Sequence, residues 1–337
     1  MHRSGTSLIT RLVNLLGVSL GPVEHLMKPL PDNPKGFWEN QLLTDMNDEI
    51  LSRLGGGLYH PPEFYSGWEN AATLADLRQR ARALLNEDFG VAKLWGWKDP
   101  RNCLTLPFWR SLLPNLRYLI CIRNPIDVIH SLERRDKFSF DKGASLWFTY
   151  MTSALANSAG QPRLFVSYEE IMNDWQGTLP RIAEFIGTPD AVDRPELKKN
   201  VKGFIDAELQ HHRTSTGDAL AEQRLPVAAK SLYFVLKQFT NLDRSSRRCP
   251  DDRQNLELDL FSRRVVQAQA ETDSLRTTLD GLRTALDGMR TTVDMQKKRL
   301  AAKEQLAARL QNELKVNKSN QKLLESALER ERQAREL

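Results

Sequence analysis

The sequence predicts an α/β fold, in which helices flank a parallel sheet, followed by a long C-terminal α-helical coiled coil. Through residue 240, short apolar runs of strand length alternate with longer helical patterns, which is typical of parallel α/β sheets. From residue 257 the apolar residues recur in a 4-3 rhythm, which is typical of coiled coils. We therefore expect an α/β domain over residues 1–240, a linker over 241–256 and a coiled coil over 257–337.

The composition narrows the class of protein. The chain has 337 residues and is 40% hydrophobic, which suffices for a core. It has no run of eighteen apolar residues, so we expect no membrane span, and its start does not resemble a signal peptide. Three cysteines without a CxxC pair favour reduced thiols in a cytoplasmic location. The net charge of +5 comes mainly from the C-terminal part, so we expect local anion sites and no nucleic-acid surface on the α/β domain.

The chain opens with a turn of small residues, Met1-His2-Arg3-Ser4-Gly5-Thr6-Ser7, which we call the first loop. It leads into a helix predicted over residues 8–17. Such a turn is an anion site, because free backbone N–H groups converge there and the helix dipole favours negative charge. Arg3 adds a guanidinium suited to phosphate or sulfate, and Gly5 lets the backbone approach closely. Further donors are the hydroxyls of Ser4, Thr6 and Ser7. On this stretch alone, an ordinary capped helix is the alternative.

Periodicity and turn residues predict the elements that follow. Strands are predicted at Val91 to Trp97, 117–122 and Leu164 to Ser167. Helices are predicted over Gln41 to Leu54, 71–86, Leu104 to Leu113, Asn124 to Arg135 and 143–157, and one opens at Tyr168. Residues 18–39 are rich in Pro and Gly and are predicted as a loop, whereas 194–240 are predicted as helical.

A second anion site is predicted where the strand at 117–122 meets Arg123-Asn124-Pro125. Asn124 can cap the next helix and Pro125 suits its first turn. Ser131 lies eight residues after Arg123, in the early turns of that helix. Ligands of parallel sheets bind beyond the carboxyl ends of the strands. The residues expected at that edge are Arg3, Lys98, Arg123 and Tyr168.

The two loops, His2-Arg3-Ser4-Gly5-Thr6-Ser7 and Arg123-Asn124-Pro125 with Ser131, resemble those of the sulfotransferases that use 3′-phosphoadenosine 5′-phosphosulfate (PAPS). Two further stretches look like motifs of the bacterial branch of that family: Trp97-Lys98-Asp99-Pro100-Arg101 and Asn33-Pro34-Lys35-Gly36-Phe37-Trp38-Glu39. The resemblance extends over most of residues 1–240. Each motif is weak by itself, but four in the family's order make a specific signal.

The resemblance implies a P-loop-like sheet and transfer of a sulfuryl group from PAPS to a hydroxyl, on a carbohydrate or another cell-surface precursor. It implies that the first loop holds the 5′-phosphosulfate and that Arg123 and Ser131 hold the 3′-phosphate. Tyr168 would pack near adenine, or serve only as a core aromatic at a strand end. The aromatic loop from Tyr59 to Trp68 is a candidate wall for the acceptor pocket. No metal is implied.

Sulfuryl transfer requires positioning, cations at the leaving phosphate and a base at the acceptor hydroxyl. Arg3 is the first candidate cation. Lys98 is the second, by its resemblance to the Lys of the Lys-Asp-Pro motif in tyrosylprotein-type sulfotransferases, with a salt bridge to Asp99 as its structural alternative. Glu39 is the leading candidate base, because it resembles the base Glu that follows the first loop and helix in the bacterial branch. Glu24 and Asp99 stay open as alternatives, since no His lies beside Lys98.

The start of the chain departs from the family pattern. The family carries a short apolar strand immediately before the first loop, whereas Met1 already lies in that loop here. We expect the real start to lie upstream. The alternative is a chain that lacks the central strand of its sheet, with a loose first site and doubtful activity.

Two rival functions remain. One is a P-loop nucleotide kinase or other phosphotransferase, but the chain has no Gly-x-x-x-x-Gly-Lys-Ser/Thr motif and no clear Mg²⁺ carboxylate paired with the first loop. The other is a non-catalytic coiled-coil scaffold with a decayed α/β domain. Stronger binding of Mg²⁺-ATP than of PAPS would favour the first, and failure to bind any bisphosphate the second.

The predicted coiled coil contains three tandem heptads, which begin at Leu275, Leu282 and Met289. Gly281 and Gly288 weaken the helix by about 1 kcal/mol each relative to Ala, and Asn317 and Gln321 interrupt the apolar seam. We expect self-association, with a parallel dimer favoured. A solvated single helix is the alternative.

Overall fold

The computed structural model describes residues 1–30, 33, 35–205, 214–246 and 252–335, with side chains for all of these except 241–246 and 331–335. The adjacent histidines His211 and His212, whose sequence indicates a solvated pair and not a metal site, lie outside the described residues. The part of the predicted linker at 247–251 also lies outside them. The chain divides into two units, which we call the first unit, Met1–Gln269, and the second unit, Ala270–Leu337.

Two parallel strands form the sheet of the first unit. Strand β1, Tyr118–Ile122, pairs with β2, Arg163–Ser167, in a register that sets Tyr118 opposite Arg163 and Ile122 opposite Ser167. A mixed α/β fold with parallel strands is therefore confirmed. The sheet is smaller than expected, because these are the only two strands among the described residues.

Twelve α-helices are present in the described chain. They are α1 Thr6–Leu15, α2 Gln41–Arg53, α3 Ala75–Phe89, α4 Asn102–Leu112, α5 Pro125–Asp136, α6 Phe140–Asn157, α7 Tyr168–Asn173, α8 Trp175–Ile186, α9 Pro195–Phe204, α10 Thr216–Ala221, α11 Val227–Ser246 and α12 Asp252–Arg335. The predicted helices α1 to α7 are confirmed to within a few residues at each end. The predicted helical stretch 194–240 contains three separate helices, α9 to α11, and α8 was not predicted.

The strand predicted at Val91 to Trp97 is wrong. Only one parallel bridge forms there, between Ser19 and Trp95. The apolar character of the stretch has another cause, because the Trp95 ring stacks on Phe89 with centroids 4.4 Å apart. Pairing cannot extend past Ser19, since Gly21 takes a positive φ and Pro22 has no N–H to donate.

The two strands lie between two apolar layers, and their side chains alternate between them. Ile120, Ile122 and Phe165 belong to one layer, built mainly from α5, α6 and α11. Cys121, Leu164 and Val166 belong to the other, built from α1, α7, α8 and α9. This alternation is the period of two expected of a strand buried on both faces. A third cluster joins α2, α3 and α4.

Helix α12 begins in the first unit. Leu258 and Val265 are buried there, and the Asp259 carboxylate pairs with Arg163 of β2. In the second unit the described side chains of α12 are exposed. None of the helices in the described chain is both long and apolar enough to cross a bilayer. The domain boundary placed at 241–256 stays a prediction.

Candidate active site

The carboxyl ends of the two strands hold the first loop. Arg123 follows β1 and Tyr168 follows β2, so the parallel pairing brings both to one edge. The Arg123 guanidinium lies over the Tyr168 ring, with its Cζ 4.4 Å from the ring centroid. Arg123 Nη1 also donates to the backbone oxygen of Arg3, at 2.9 Å. The edge predicted from the sequence is therefore occupied by the first loop and both strand-end residues.

Gly5 lies against the Tyr168 ring. Its φ is +81°, and a Cβ at this position would lie 2.1 Å from Cδ2 of Tyr168, so no other residue fits without displacing the ring. Gly5 is also the residue before α1, which starts at Thr6. The Cys121 thiol of β1 donates to the backbone oxygen of Ser4 at 2.8 Å. Cys121 of β1, with Arg123 and Tyr168 just beyond the ends of the two strands, thus contacts the backbone of the first loop.

The side chain of Arg3 points to the second predicted anion site. Arg3 adopts a positive φ of 63°, and its Nε donates to Ser131 Oγ of α5 at 2.8 Å. Arg3, Arg123 and Ser131 therefore form one polar cluster beside the start of α5, which we call the arginine cluster. Asn124 caps that helix, since its side chain accepts from the N–H of Ile126. Two guanidiniums and a hydroxyl beside a helix N-terminus suit a phosphate group.

Lys98 and Glu39 form a second cluster beside the first loop, which we call the lysine cluster. Lys98 Nζ pairs directly with Glu39 Oε1 and lies 3.4 Å from Ser7 Oγ. Asn33 Nδ2 is also 3.4 Å from Ser7 Oγ. Burial raises the pKa of Glu39, while the positive charge of Lys98 opposes that rise. The pair is nearly closed to solvent, which strengthens the interaction between the two charges.

Lys98 does not pair with Asp99. The Asp99 carboxylate accepts from Arg101 Nη1 at 2.9 Å and from Asn47 Nδ2 at 2.8 Å. It also accepts from the backbone N–H of Arg101 at the start of α4. Asp99 and Arg101 thus support the contact between α2 and α4. Among the described residues, Asp99 makes no hydrogen bond to the first loop. Glu24, the other alternative base, is exposed in a short 3-10 helix, Val23–His25.

Several buried polar atoms at this edge have no hydrogen-bond partner within the described protein. They include Ser4 Oγ and Arg123 Nε. Buried donors are normally satisfied, and a hydroxyl and a guanidinium N–H are the donors that an anion would accept. The residues present therefore fit a phosphate or sulfate group at the first loop.

Sequence reasoning missed two residues of this site. His2 is buried with both ring nitrogens unpartnered, and its ring meets those of Tyr59 and Tyr150 edge-on, at centroid distances of 5.2 and 5.5 Å. Burial lowers the pKa of His2 well below its usual value, and the N-terminal ammonium adds to this effect. Asn33 is the second residue. Both lie inside motifs quoted above, but their contacts could not be read from spacing.

A loop with free donors at the carboxyl edge of parallel strands, with cations beside a buried carboxylate, fits an enzyme that transfers an anionic group. The sequence model of the Sulfotransferase family matches residues 1–193, which is more than half of the chain. The chain belongs to this family, and the match contains both clusters. No curated protein and no solved structure matches the chain. The predicted resemblance to the sulfotransferases is confirmed, and the protein is a transferase of sulfuryl groups.

Proposed function

We propose that this sulfotransferase takes its sulfuryl group from PAPS and transfers it to a hydroxyl acceptor, as the bacterial branch of the family does with carbohydrates or other cell-surface precursors. The observation that carries the proposal is that two separate groups of side chains, each containing a cation, lie beside one loop. The arginine cluster suits one phosphate and the lysine cluster a second charged group. A nucleotide with a 3′-phosphate and a 5′-phosphosulfate presents two such groups.

Each predicted site residue has a proposed role in that complex. The backbone N–H groups at Gly5 and Thr6 and the hydroxyls of Ser4 and Ser7 bind the 5′ end, at the N-terminus of α1. Arg123 and Ser131 hold the 3′-phosphate, and Tyr168 supplies an aromatic face beside Arg123. The residues assigned to the nucleotide are Arg3, Ser4, Gly5, Thr6, Ser7, Arg123, Ser131 and Tyr168.

PAPS, when bound, supplies the sulfuryl group and a phosphate leaving group. Lys98 lies beside Ser7, where a positive charge stabilises the charge that develops on that leaving group. Arg3 is the other cation proposed for the leaving group, and to act there its side chain has to leave Ser131, to which it donates in this structure. Glu39 accepts the proton of the acceptor hydroxyl, because of the three candidate bases it is the one that pairs with Lys98 beside Ser7. Tyr59, the first residue of the predicted acceptor wall, contacts His2 of the first loop, which supports an acceptor pocket beside that loop.

The second unit has a separate proposed role, which is self-association through its exposed heptad seam. The cytoplasmic location, the metal-free reaction and the linker at 241–256 stay predictions. None of them enters the roles assigned above.

Binding of adenosine 3′,5′-bisphosphate, measured by calorimetry, tests the nucleotide site. We expect the protein to bind it and Arg123→Ala to weaken binding at least about tenfold, since a charge-assisted hydrogen bond contributes about 1.5–3 kcal/mol. Arg117→Ala is the matched control, because Arg117 is an exposed arginine that precedes the same strand at its opposite end. The control should bind as the unmodified protein does.

Two outcomes contradict the proposal. Tight binding of Mg²⁺-ATP without binding of the bisphosphate would favour the kinase alternative. Equal loss in the Arg123 and Arg117 variants would show that the effect is not specific to the strand end. Thermal unfolding of both variants separates loss of binding from loss of folding, because Arg123 also holds the Arg3 backbone.

A further inference from the structure

We infer that the second unit pairs with a second copy of this chain, in parallel and in register, and that residues 299–321 set this register. The inference rests on the self-association proposed above and is independent of the nucleotide. The second unit is helical over its described residues and leaves its apolar seam exposed, from 47% at Val293 to 71% at Leu275. With Leu279 as position a, the seam residues at a and d are Leu275, Leu279, Leu282, Leu286, Met289, Val293, Leu300, Ala307, Leu310, Leu314, Leu324 and Leu328.

The N-terminal half of the seam cannot set a register. Its three heptads, which start at Leu275, Leu282 and Met289, are nearly identical. Within these heptads, a slip of seven residues therefore sets Leu against Leu, Met or Val, so every contact stays apolar. The g positions there are Thr278, Ala285 and Thr292, which carry no charge to oppose a slip.

Polar residues in the C-terminal half distinguish the registers. Asn317 occupies a d position and Gln321 an a position. In a parallel, in-register pair each meets its own copy, and two amides can hydrogen-bond to each other. After a slip of one heptad, Asn317 meets Leu310 or Leu324 and its amide is left without a partner. Gln296 and Lys303, also at d, meet their own copies in the same way, and the long Lys303 side chain can reach solvent.

The charges that flank the seam favour the same register. In a parallel pair, position g of one chain faces position e of the next heptad in its partner. Arg299 then faces Glu304 of the second copy, and Glu313 faces Lys318 of the second copy, so the pair gains four attractive contacts by symmetry. After a one-heptad slip, Arg299 faces Lys297 in one direction and Glu313 faces Glu325 in the other. A slipped pair exchanges its attractive contacts for repulsive ones.

Charge reversal in the full-length chain tests the pairing, with the dimer dissociation constant measured by sedimentation equilibrium. Glu313→Lys places two lysines opposite Lys318 residues, and we expect the constant to rise about tenfold. The double variant Glu313→Lys/Lys318→Glu restores the attraction with reversed signs and should regain the original constant. Glu329→Lys is the matched control, since position 329 is a b position away from the seam, and should change nothing.

A disulfide reports the register directly. Leu310→Cys places a thiol at a d position, and oxidation of the full-length variant should link two chains in high yield only if residue 310 meets its own copy. The unmodified chain controls for Cys103, Cys121 and Cys249. A protein that is monomeric at all concentrations would overturn both self-association and this inference. A dimer without rescue or cross-linking would overturn the register alone, and neither result bears on bisphosphate binding.

Discussion

At the scale of single residues, the Lys98–Glu39 pair is central to the proposed reaction. A carboxylate removed from water is a stronger base than an exposed one, because burial disfavours its charged form. Lys98 opposes this rise in the pKa of Glu39, since its positive charge stabilises the anion. In the proposed reaction, the same contact keeps Glu39, as the proton acceptor, beside the cation that stabilises the leaving group.

This arrangement predicts the pH dependence of the enzyme. Glu39 must be ionised to accept a proton, so kcat/KM should rise with pH through the raised pKa of Glu39, above its usual 4.5. Glu39→Gln should lower kcat by about 10²–10⁴-fold and remove this acidic limb. The measurement is a pH–rate profile with saturating PAPS, once an acceptor is in hand.

Glu24→Gln is the control for this prediction, because Glu24 is exposed. This variant should retain both kcat and the acidic limb of the pH–rate profile. Full turnover by the Glu39 variant, with bisphosphate binding intact, would remove Glu39 from the reaction. The base would then have to be sought outside the lysine cluster.

His2 predicts a pH dependence of stability. Its pKa is depressed in the folded protein, so the unfolded chain binds the proton more readily once the pH falls below about 6.5. The stability associated with neutral His2 is present above that pH and is lost as the pH falls toward the depressed value. The loss is at most about 1.4 kcal/mol per pH unit.

The variant His2→Phe keeps the aromatic contacts with Tyr59 and Tyr150 but cannot take up a proton. Urea unfolding at pH 7 and pH 5 should therefore show a smaller loss of stability on acidification in the variant than in the unmodified protein. Parallel losses in both proteins would mean that His2 is already protonated, or well hydrated, in the folded state.

The sequence predicts the members of this site better than their contacts. Arg123 and Ser131 could be placed together from one spacing, because a strand end and an early helical turn adjoin. The Lys98–Glu39 pair could not, since the two residues are 59 positions apart and belong to segments without regular structure. Spacing suggested Asp99 as the partner of Lys98, but Arg101 and Asn47 satisfy Asp99 instead.

At the scale of secondary-structure elements, periodicity predicts the helices with a clear apolar face and the two buried strands. It fails where aromatic packing imitates a strand, as at Val91 to Trp97. It also fails at α8, where Gly177 and Pro180 indicate a turn. There the Asp174 side chain accepts from the N–H of Gly177 and starts the helix, and Pro180 follows after the first turn. The Asp174 cap is a local signal, but periodicity alone does not include it.

The start of α12 is bound to β2 by a buried ion pair. The Arg163 side chain is fully buried, and its Nη2 donates to Asp259 Oδ1 at 2.7 Å. Asn255 accepts from the same guanidinium through its side chain and its backbone. Removal of one partner of a buried pair leaves an uncompensated charge, which costs about 3–5 kcal/mol. We therefore expect Asp259→Ala to lower the unfolding free energy by about 3 kcal/mol.

Urea denaturation measures this change, and Glu257→Ala provides the control. Glu257 precedes Asp259 by two residues on the same helix, but it is exposed and pairs with the exposed Arg253. Its removal should change the free energy by less than about 1 kcal/mol. Equal effects of the two substitutions would show that the first turns of α12 do not support the sheet.

At the scale of the whole molecule, the change in composition near residue 253 and the boundary between the two structural units fall at different places. The sequence loses Pro, Trp, Tyr and Cys there, which predicts a coiled coil from 257 onward. Leu258 and Val265 nevertheless lie in the core of the first unit, whose last residue is Gln269. A heptad pattern shows which residues are apolar but not which surface covers them. Burial against the first unit and pairing in a coiled coil therefore give the same sequence pattern.

Two truncations decide where the catalytic part ends. A chain that stops after Gln269 should keep the thermal midpoint of the first unit and its affinity for adenosine 3′,5′-bisphosphate, because it retains every contact of α12 with β2. A chain that stops after residue 251 loses the Asp259 pair and the burial of Leu258 and Val265. Burial of each such side chain contributes about 1.5–3 kcal/mol, so the combined loss exceeds about 5 kcal/mol. Whole domains have only about 5–15 kcal/mol of stability, so the shorter chain should be largely unfolded and should not bind. If instead it folds and binds as the longer one does, the first turns of α12 are dispensable and the boundary predicted from composition is the functional one.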